Sequence, residues 1–147
     1  MLHRYEEALA AYQQALLLPP ISAITYAGEG DVLFQLKRYE EAFTAYEHAA
    51  RIDADYAPSY NGLGNALHVL DHIEEALTAY QAAIALDDSN PLFHYNEGAV
   101  LLELHRNEEA LAAFERSLAL DTSYAQVYKG KGDALWQLDR NAEALKA

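Results

Sequence analysis

The chain has 147 residues, 52% of them hydrophobic, and sets 23 acidic side chains against 10 basic ones for a formal net charge of −13. That balance argues against nucleic acid as a partner, because binding a phosphate backbone needs lysine and arginine to displace condensed counterions. The absence of cysteine excludes disulfides, thiolate catalysis and cysteine-type zinc sites, and without a long apolar run or an apolar leader neither a membrane span nor a secretion signal is expected, which makes the cytoplasm the expected compartment.

In chain order, the apolar periodicity predicts a helix from about Leu2 to Leu18, stopped by Pro19-Pro20, which cannot continue it. Helix pairs follow at roughly Ser22 to Leu36 with Tyr39 to Ile52, Pro58 to Leu70 with Ile73 to Leu86, and Pro91 to Leu104 with Glu108 to Leu120. In the third pair Asn90 is placed to cap and Pro91 to take the first helical position, where its missing N–H costs nothing. A last helix is expected near Tyr124 to Leu138, and Asn141 to Ala147 then begin another that is too short to be stable unless something packs on it. Connections are short, so neighbouring helices are expected to run antiparallel. The pairs Glu6-Glu7, Glu40-Glu41, Glu74-Glu75 and Glu108-Glu109 suit the first turn of a second helix, where the macrodipole favours anions. Because such pairs recur in every repeat, they do not read as the acid and base of one active site.

One beat organises the whole chain. Alanine recurs at Ala8, Ala42, Ala76, Ala110 and Ala144 in steps of 34 residues, and Gly30, Gly64, Gly98 and Gly132 keep the same spacing. So do Tyr12, Tyr46, Tyr80 and Phe114, and Ala15, Ala49, Ala83 and Ser117. A small residue lets two helix backbones approach closely, and an aromatic one turn further on fills the space beside it. A period of this length is expected of a helix–turn–helix unit that buries its apolar face by stacking on its neighbours.

The segment Tyr60-Asn61-Gly62-Leu63-Gly64-Asn65-Ala66-Leu67, followed by Ala76, Tyr80 and Ala83, resembles the tetratricopeptide repeat signature. The resemblance extends over essentially the whole chain, with complete repeats at 23–56, 57–90 and 91–124 and partial ones at 1–22 (a second helix only) and 125–147. Two places depart from the signature: the tryptophan-like one holds Tyr26, Tyr60, His94 and Tyr128, and the late proline appears only as Pro20. The resemblance implies an all-α, right-handed α-solenoid of antiparallel helix pairs. Ends that cut through a repeat are expected of a segment taken from a longer array.

The same resemblance implies that each repeat's first helix lines a concave groove through repeat places 2, 5, 6, 9, 12 and 13. Those places select Asp31, Phe34 and Gln35; Asn61, Asn65 and His68; Tyr95, Asn96 and Glu103; and Lys129, Asp133 and Trp136 as peptide-binding candidates. Glycine at place 6 in Gly28, Gly62 and Gly130 is expected to widen the groove and expose backbone, while Asn61, Asn65 and Asn96 offer amides to an extended peptide. Tyr95 with Asn96 and Asn61 forms the expected central cluster. Some relatives hold acidic chaperone tails in a carboxylate clamp, but the places where the clamp needs cations hold Gln126 and Gly130 here, with Lys129 between them. Asp31, Glu103 and Asp133 against Lys129 leave the groove mildly acidic, so an extended segment with apolar anchors and a basic residue is the expected ligand.

No serine–histidine–aspartate set, phosphate loop or nucleophile elbow occurs, so the expectation is a non-catalytic interaction scaffold without cofactor. His68 and His72 stand four apart, but a helix ending near Leu70 leaves His72 in the turn, so no metal site is expected. The alternative to a peptide groove is head-to-tail self-association, in which the N-terminal second helix of one molecule completes the last repeat of another.

Overall fold

The computed structural model describes residues 1–146. Among them are eight α-helices: α1 (Leu2–Leu16), α2 (Ala23–Gln35), α3 (Tyr39–Ile52), α4 (Ala57–Val69), α5 (Ile73–Leu86), α6 (Pro91–Glu103), α7 (Asn107–Leu120) and α8 (Ala125–Lys146). They pack in sequential pairs, giving an all-helical, tetratricopeptide-like fold: α2 with α3, α4 with α5 and α6 with α7. The chain divides into two compact units, Met1–Leu86 with α1 to α5 and a second that begins at Asp87 and holds α6 to α8. No helix among the described residues is long and apolar enough to cross a membrane.

The helix ends follow from local chemistry. The Ser22 hydroxyl caps α2 by accepting from Thr25 N–H at 3.2 Å, and Asn90 caps α6 by accepting from Leu92 N–H at 3.0 Å with Pro91 at the first turn. Three second helices, α3, α5 and α7, open on their glutamate pairs, and Arg38–Glu41 and Arg106–Glu109 add ion pairs of 2.6 and 2.7 Å across the first turn. The fourth pair departs from expectation: α1 begins at Leu2, so Glu6 and Glu7 lie beyond its first turn. Between first and second helices the chain turns through a left-handed residue, Lys37 (φ 60°), Asp71 (φ 65°) and His105 (φ 57°). Each turn is closed by a 2.8 to 2.9 Å bond from the next N–H to a carbonyl five residues back, from Arg38, His72 and Arg106.

On the same beat Asp139 should turn as well, but the expected break after Leu138 is absent and α8 runs on to Lys146. A left-handed non-glycine residue costs roughly 1 to 2 kcal/mol. At Lys37, Asp71 and His105 the turn leads into a second helix packed on the first, whereas residues 139–146 continue α8 and are all exposed.

The repeated columns form the core. Ala42, Ala49, Ala76, Ala83 and Ala110 are fully buried. The Tyr46 ring, also buried, lies against Gly30 of its own repeat and Gly62 of the next: a methyl group on Gly30 would come within 2.7 Å of it and one on Gly62 closer still. In the second unit Phe114 is held the same way between Gly98 and Gly130, with corresponding distances of 2.7 and 2.5 Å. This corrects the expectation for place 6. Gly28, Gly62 and Gly130 each face the aromatic of the preceding second helix, so their missing side chain serves to admit a ring, and Gly130 alone of the three also lines the cleft described below.

An added methyl group should therefore act oppositely at two helical glycines. Gly62→Ala is expected to destabilise the chain by about 1 to 2 kcal/mol, the overpacking cost exceeding the gain in helix propensity. Gly132→Ala, whose methyl would meet nothing within 4 Å, should stabilise by up to about 1 kcal/mol. Denaturant unfolding of the two variants measures both; a stabilising Gly62→Ala would remove the close approach as a constraint.

Candidate functional site

In the first unit the groove places of α2 and α4 are tied to the second helices behind them. The Tyr46 hydroxyl donates to Asp31 Oδ1 at 2.7 Å, and the Tyr80 hydroxyl donates to Asn65 Oδ1 at 2.8 Å. Place 9 thus serves the buried tyrosine of its own pair. Asp31 is exposed as a residue, yet partial burial of its carboxyl pushes it above the usual carboxylate range, more than the Tyr46 bond lowers it. Tyr46 is raised in turn, by burial first and then by its bond to Asp31. Phe34 packs edge-on to Tyr39 at 5.1 Å, closing the end of the α2–α3 pair. Gln35 is exposed, His68 is half-buried, and Asn61, expected to offer an amide, is buried with 9% of its surface exposed.

In the second unit the equivalent places meet at a cleft of about 260 Å³. Tyr95, Ala99, Leu102 and Glu103 of α6 face Gln126, Lys129, Gly130 and Asp133 of α8 across it, and the Phe114 ring forms part of its wall. Tyr95 stands 6.1 Å from Phe114, centroid to centroid. Lys129 Nζ donates to Asp133 Oδ2 at 2.8 Å, and that bond holds the ammonium above its ordinary pKa. Behind the cleft, His94 at the tryptophan-like place is buried with Nε2 2.8 Å from the Asp88 carbonyl, and the Ser117 hydroxyl donates to the Pro91 carbonyl at 2.8 Å.

Four of the residues selected by sequence, Tyr95, Glu103, Lys129 and Asp133, therefore share one cleft. Half-buried Asn96 does not line it, and Trp136, 64% exposed, lies outside it. Phe114 was readable as a packing position but not as part of a site. Its signal was a paired change: where repeats 1 and 2 carry Asp31 with Tyr46 and Asn65 with Tyr80, repeat 3 carries Ala99 with Phe114, losing acceptor and donor together. His72 falls in the turn with Nδ1 3.8 Å from Glu75, and among the described residues no group of three or more histidine and acidic side chains is placed to hold a metal ion.

Asp31 gives the groove a pH signature. Because its folded-state pKa lies above the unfolded one, ionisation is penalised in the native chain: the favourable contribution is present below the unfolded value of about 3.9 and is lost as pH rises through the folded value. Asp31→Asn keeps an acceptor for Tyr46, as Asn65 does for Tyr80, and removes the partly buried charge. The variant is expected to be more stable than the native chain at neutral pH, with the difference closing as pH falls through the carboxylate range. Thermal unfolding against pH decides this, and a less stable variant at neutral pH would mean that the charged hydrogen bond outweighs its burial.

Comparison with known proteins agrees with the geometry. Residues 30–71 and 72–105 match a family described as TPR repeat, and residues 91–124 one described as tetratricopeptide repeat. The curated proteins give no significant match. Among solved structures the chain is similar to a MamA protein, with 24% identity, a TM-score of 0.83, and coverage of 98% of this chain and 79% of that one. It is also similar to the first TPR of Spaghetti (RPAP3) bound to the HSP90 peptide SRMEEVD, at 22% identity and a TM-score of 0.78 over 80% of this chain and 96% of that one. A third likeness is to the Arabidopsis OM64 TPR domain, at 20% identity and a TM-score of 0.73 over 76% and 93%. At these identities the structural likeness speaks to fold alone, and together with the family matches it establishes that the chain belongs to the tetratricopeptide repeat family.

Proposed function

We propose that the chain is a non-catalytic interaction scaffold whose first helices hold an extended peptide segment carrying apolar and basic residues. Tetratricopeptide repeats mediate protein–protein interaction, and one structural neighbour is described with a peptide bound. The observation that carries the reading is the cleft in the second unit: all its lining residues except Phe114 sit at repeat places 2, 5, 6, 9, 12 or 13. That neighbour's peptide ends in acidic residues, whereas here Lys129 is already paired with Asp133 and Glu103 adds a second carboxylate to the rim. An acidic tail would meet carboxylates without the charge-assisted bonds it needs; a lysine or arginine would find them.

A second reading, head-to-tail self-association, is favoured by α1. Ala15 is exposed, whereas its equivalents Ala49, Ala83 and Ser117 are fully buried. A second copy seated there would give a molar mass that rises with concentration and returns to monomer when residues 1–18 are deleted; a constant monomer mass in light scattering would dismiss it.

For the groove, fluorescence anisotropy against paired peptides is the test. A peptide with an apolar residue flanked by lysines is expected to bind at least about tenfold more tightly than its glutamate-flanked counterpart, with the preference shrinking as salt is raised. Tighter binding of the glutamate-flanked peptide would overturn the charge assignment.

A further inference from the structure

The third repeat breaks a rule that the first two keep. At place 9 of α2 and α4 a side-chain oxygen accepts from a buried tyrosine, Asp31 from Tyr46 and Asn65 from Tyr80. At the corresponding positions α6 and α7 carry Ala99 and Phe114, with no acceptor and no hydroxyl. A buried hydroxyl facing alanine would be left unpaired, and an amide facing phenylalanine would lose its donor, so either change alone costs stability and the two together are tolerated. Their joint effect is local. In repeat 2 an asparagine side chain and a hydroxyl meet at this place, whereas in repeat 3 the cleft reaches half-buried Ala99, with Tyr95, Leu102 and the Phe114 ring among its lining.

We infer that this cleft is an anchor site for one bulky apolar side chain of an extended peptide whose adjoining residue is lysine or arginine. The assignment rests on the groove reading above and names what one place in that groove selects. Size supports a single side chain: about 260 Å³ is below the ~300 Å³ at which small-molecule sites begin. Gly130 supports it too, because it brings α8 close to the Phe114 ring and puts backbone, with no side chain, at the cleft wall. Charge complementarity decides the neighbouring residue. The residues lining the cleft include two carboxylates, Glu103 and Asp133, and one cation, Lys129, which pairs with Asp133, in a chain of net charge −13.

The test uses the full chain and an array of extended nonapeptides in which a central leucine, phenylalanine, alanine or serine is flanked by lysine, serine or glutamate, read by fluorescence anisotropy. Leucine or phenylalanine beside lysine is expected to bind about tenfold or more tightly than serine beside lysine. The double variant Ala99→Asn with Phe114→Tyr, which copies the pair present in repeat 2, should abolish that discrimination while lysine-flanked peptides of every centre still bind. Should the double variant lose its helical signal, Ala99→Leu fills the same space with one change and must give the same loss. Glu103→Gln should reduce the lysine preference and leave the leucine-over-serine ratio in place. If the array binds but the ratio is unity, or survives the filling of the cleft, the anchor site is refuted and the groove reading stands. If no peptide of the array binds, the groove reading fails and takes the anchor site with it.

Discussion

The contact on which the rest depends is an aromatic ring held between two glycines. A second helix projects Tyr46 or Phe114 into a slot whose walls are the place-8 glycine of its own repeat and the place-6 glycine of the next. Neither wall can carry a methyl group without a clash, and the ring is too large to bury elsewhere. This fixes how closely successive helices approach and explains why small and large residues keep a common beat of 34. Within each compact unit it also couples neighbouring repeats, since Tyr46 is completed by Gly62 and Phe114 by Gly130 of the repeat that follows. The alanine columns follow from that spacing, because only a small side chain fits where backbones are this close.

The slot also decides what faces outward. A tyrosine in it carries its hydroxyl to place 9 of the paired first helix, where a polar side chain must receive it. Asp31 and Asn65 are therefore partly committed to the interior, which limits what they offer to a ligand. With phenylalanine in the slot the obligation disappears, place 9 shrinks to Ala99, and Ala99 and the Phe114 ring both line a cleft. A choice made for packing in the second helix thus reshapes the surface of the first. The rim, by contrast, is set by exposed charges, whose mutual interactions are screened and whose role is selection more than strength.

Much of this was legible in the sequence because it is periodic. The helix pairs, the Asn90 cap with Pro91 and the turn that leaves His72 outside its helix follow from register, whereas the expected cluster of Tyr95 with Asn96 and Asn61 does not form, Asn96 lying outside the cleft that Tyr95 lines and Asn61 being buried. Where register misled, a three-dimensional partner had overruled it. Gly62 reads as an opening in the groove until the Tyr46 ring is seen filling it, and Phe34, expected to face the groove, also packs edge-on to Tyr39. Asp139 carries the turn residue's place, yet α8 continues through it. Asn61 and Trp136 share the groove's numbering without sharing the cleft, one being buried and the other standing clear of it.

On the reading proposed here, recognition belongs to the first helices and the second helices act through packing behind them. The most direct measurement is a residue-resolved NMR titration of isotopically labelled chain with a lysine-flanked leucine peptide. The account predicts amide and methyl shifts along α6 and the first half of α8, largest at Tyr95, Ala99 and Lys129, with α1, α3 and α5 unchanged. Shifts concentrated on the outer faces of the second helices, with Ala99 silent, would contradict it.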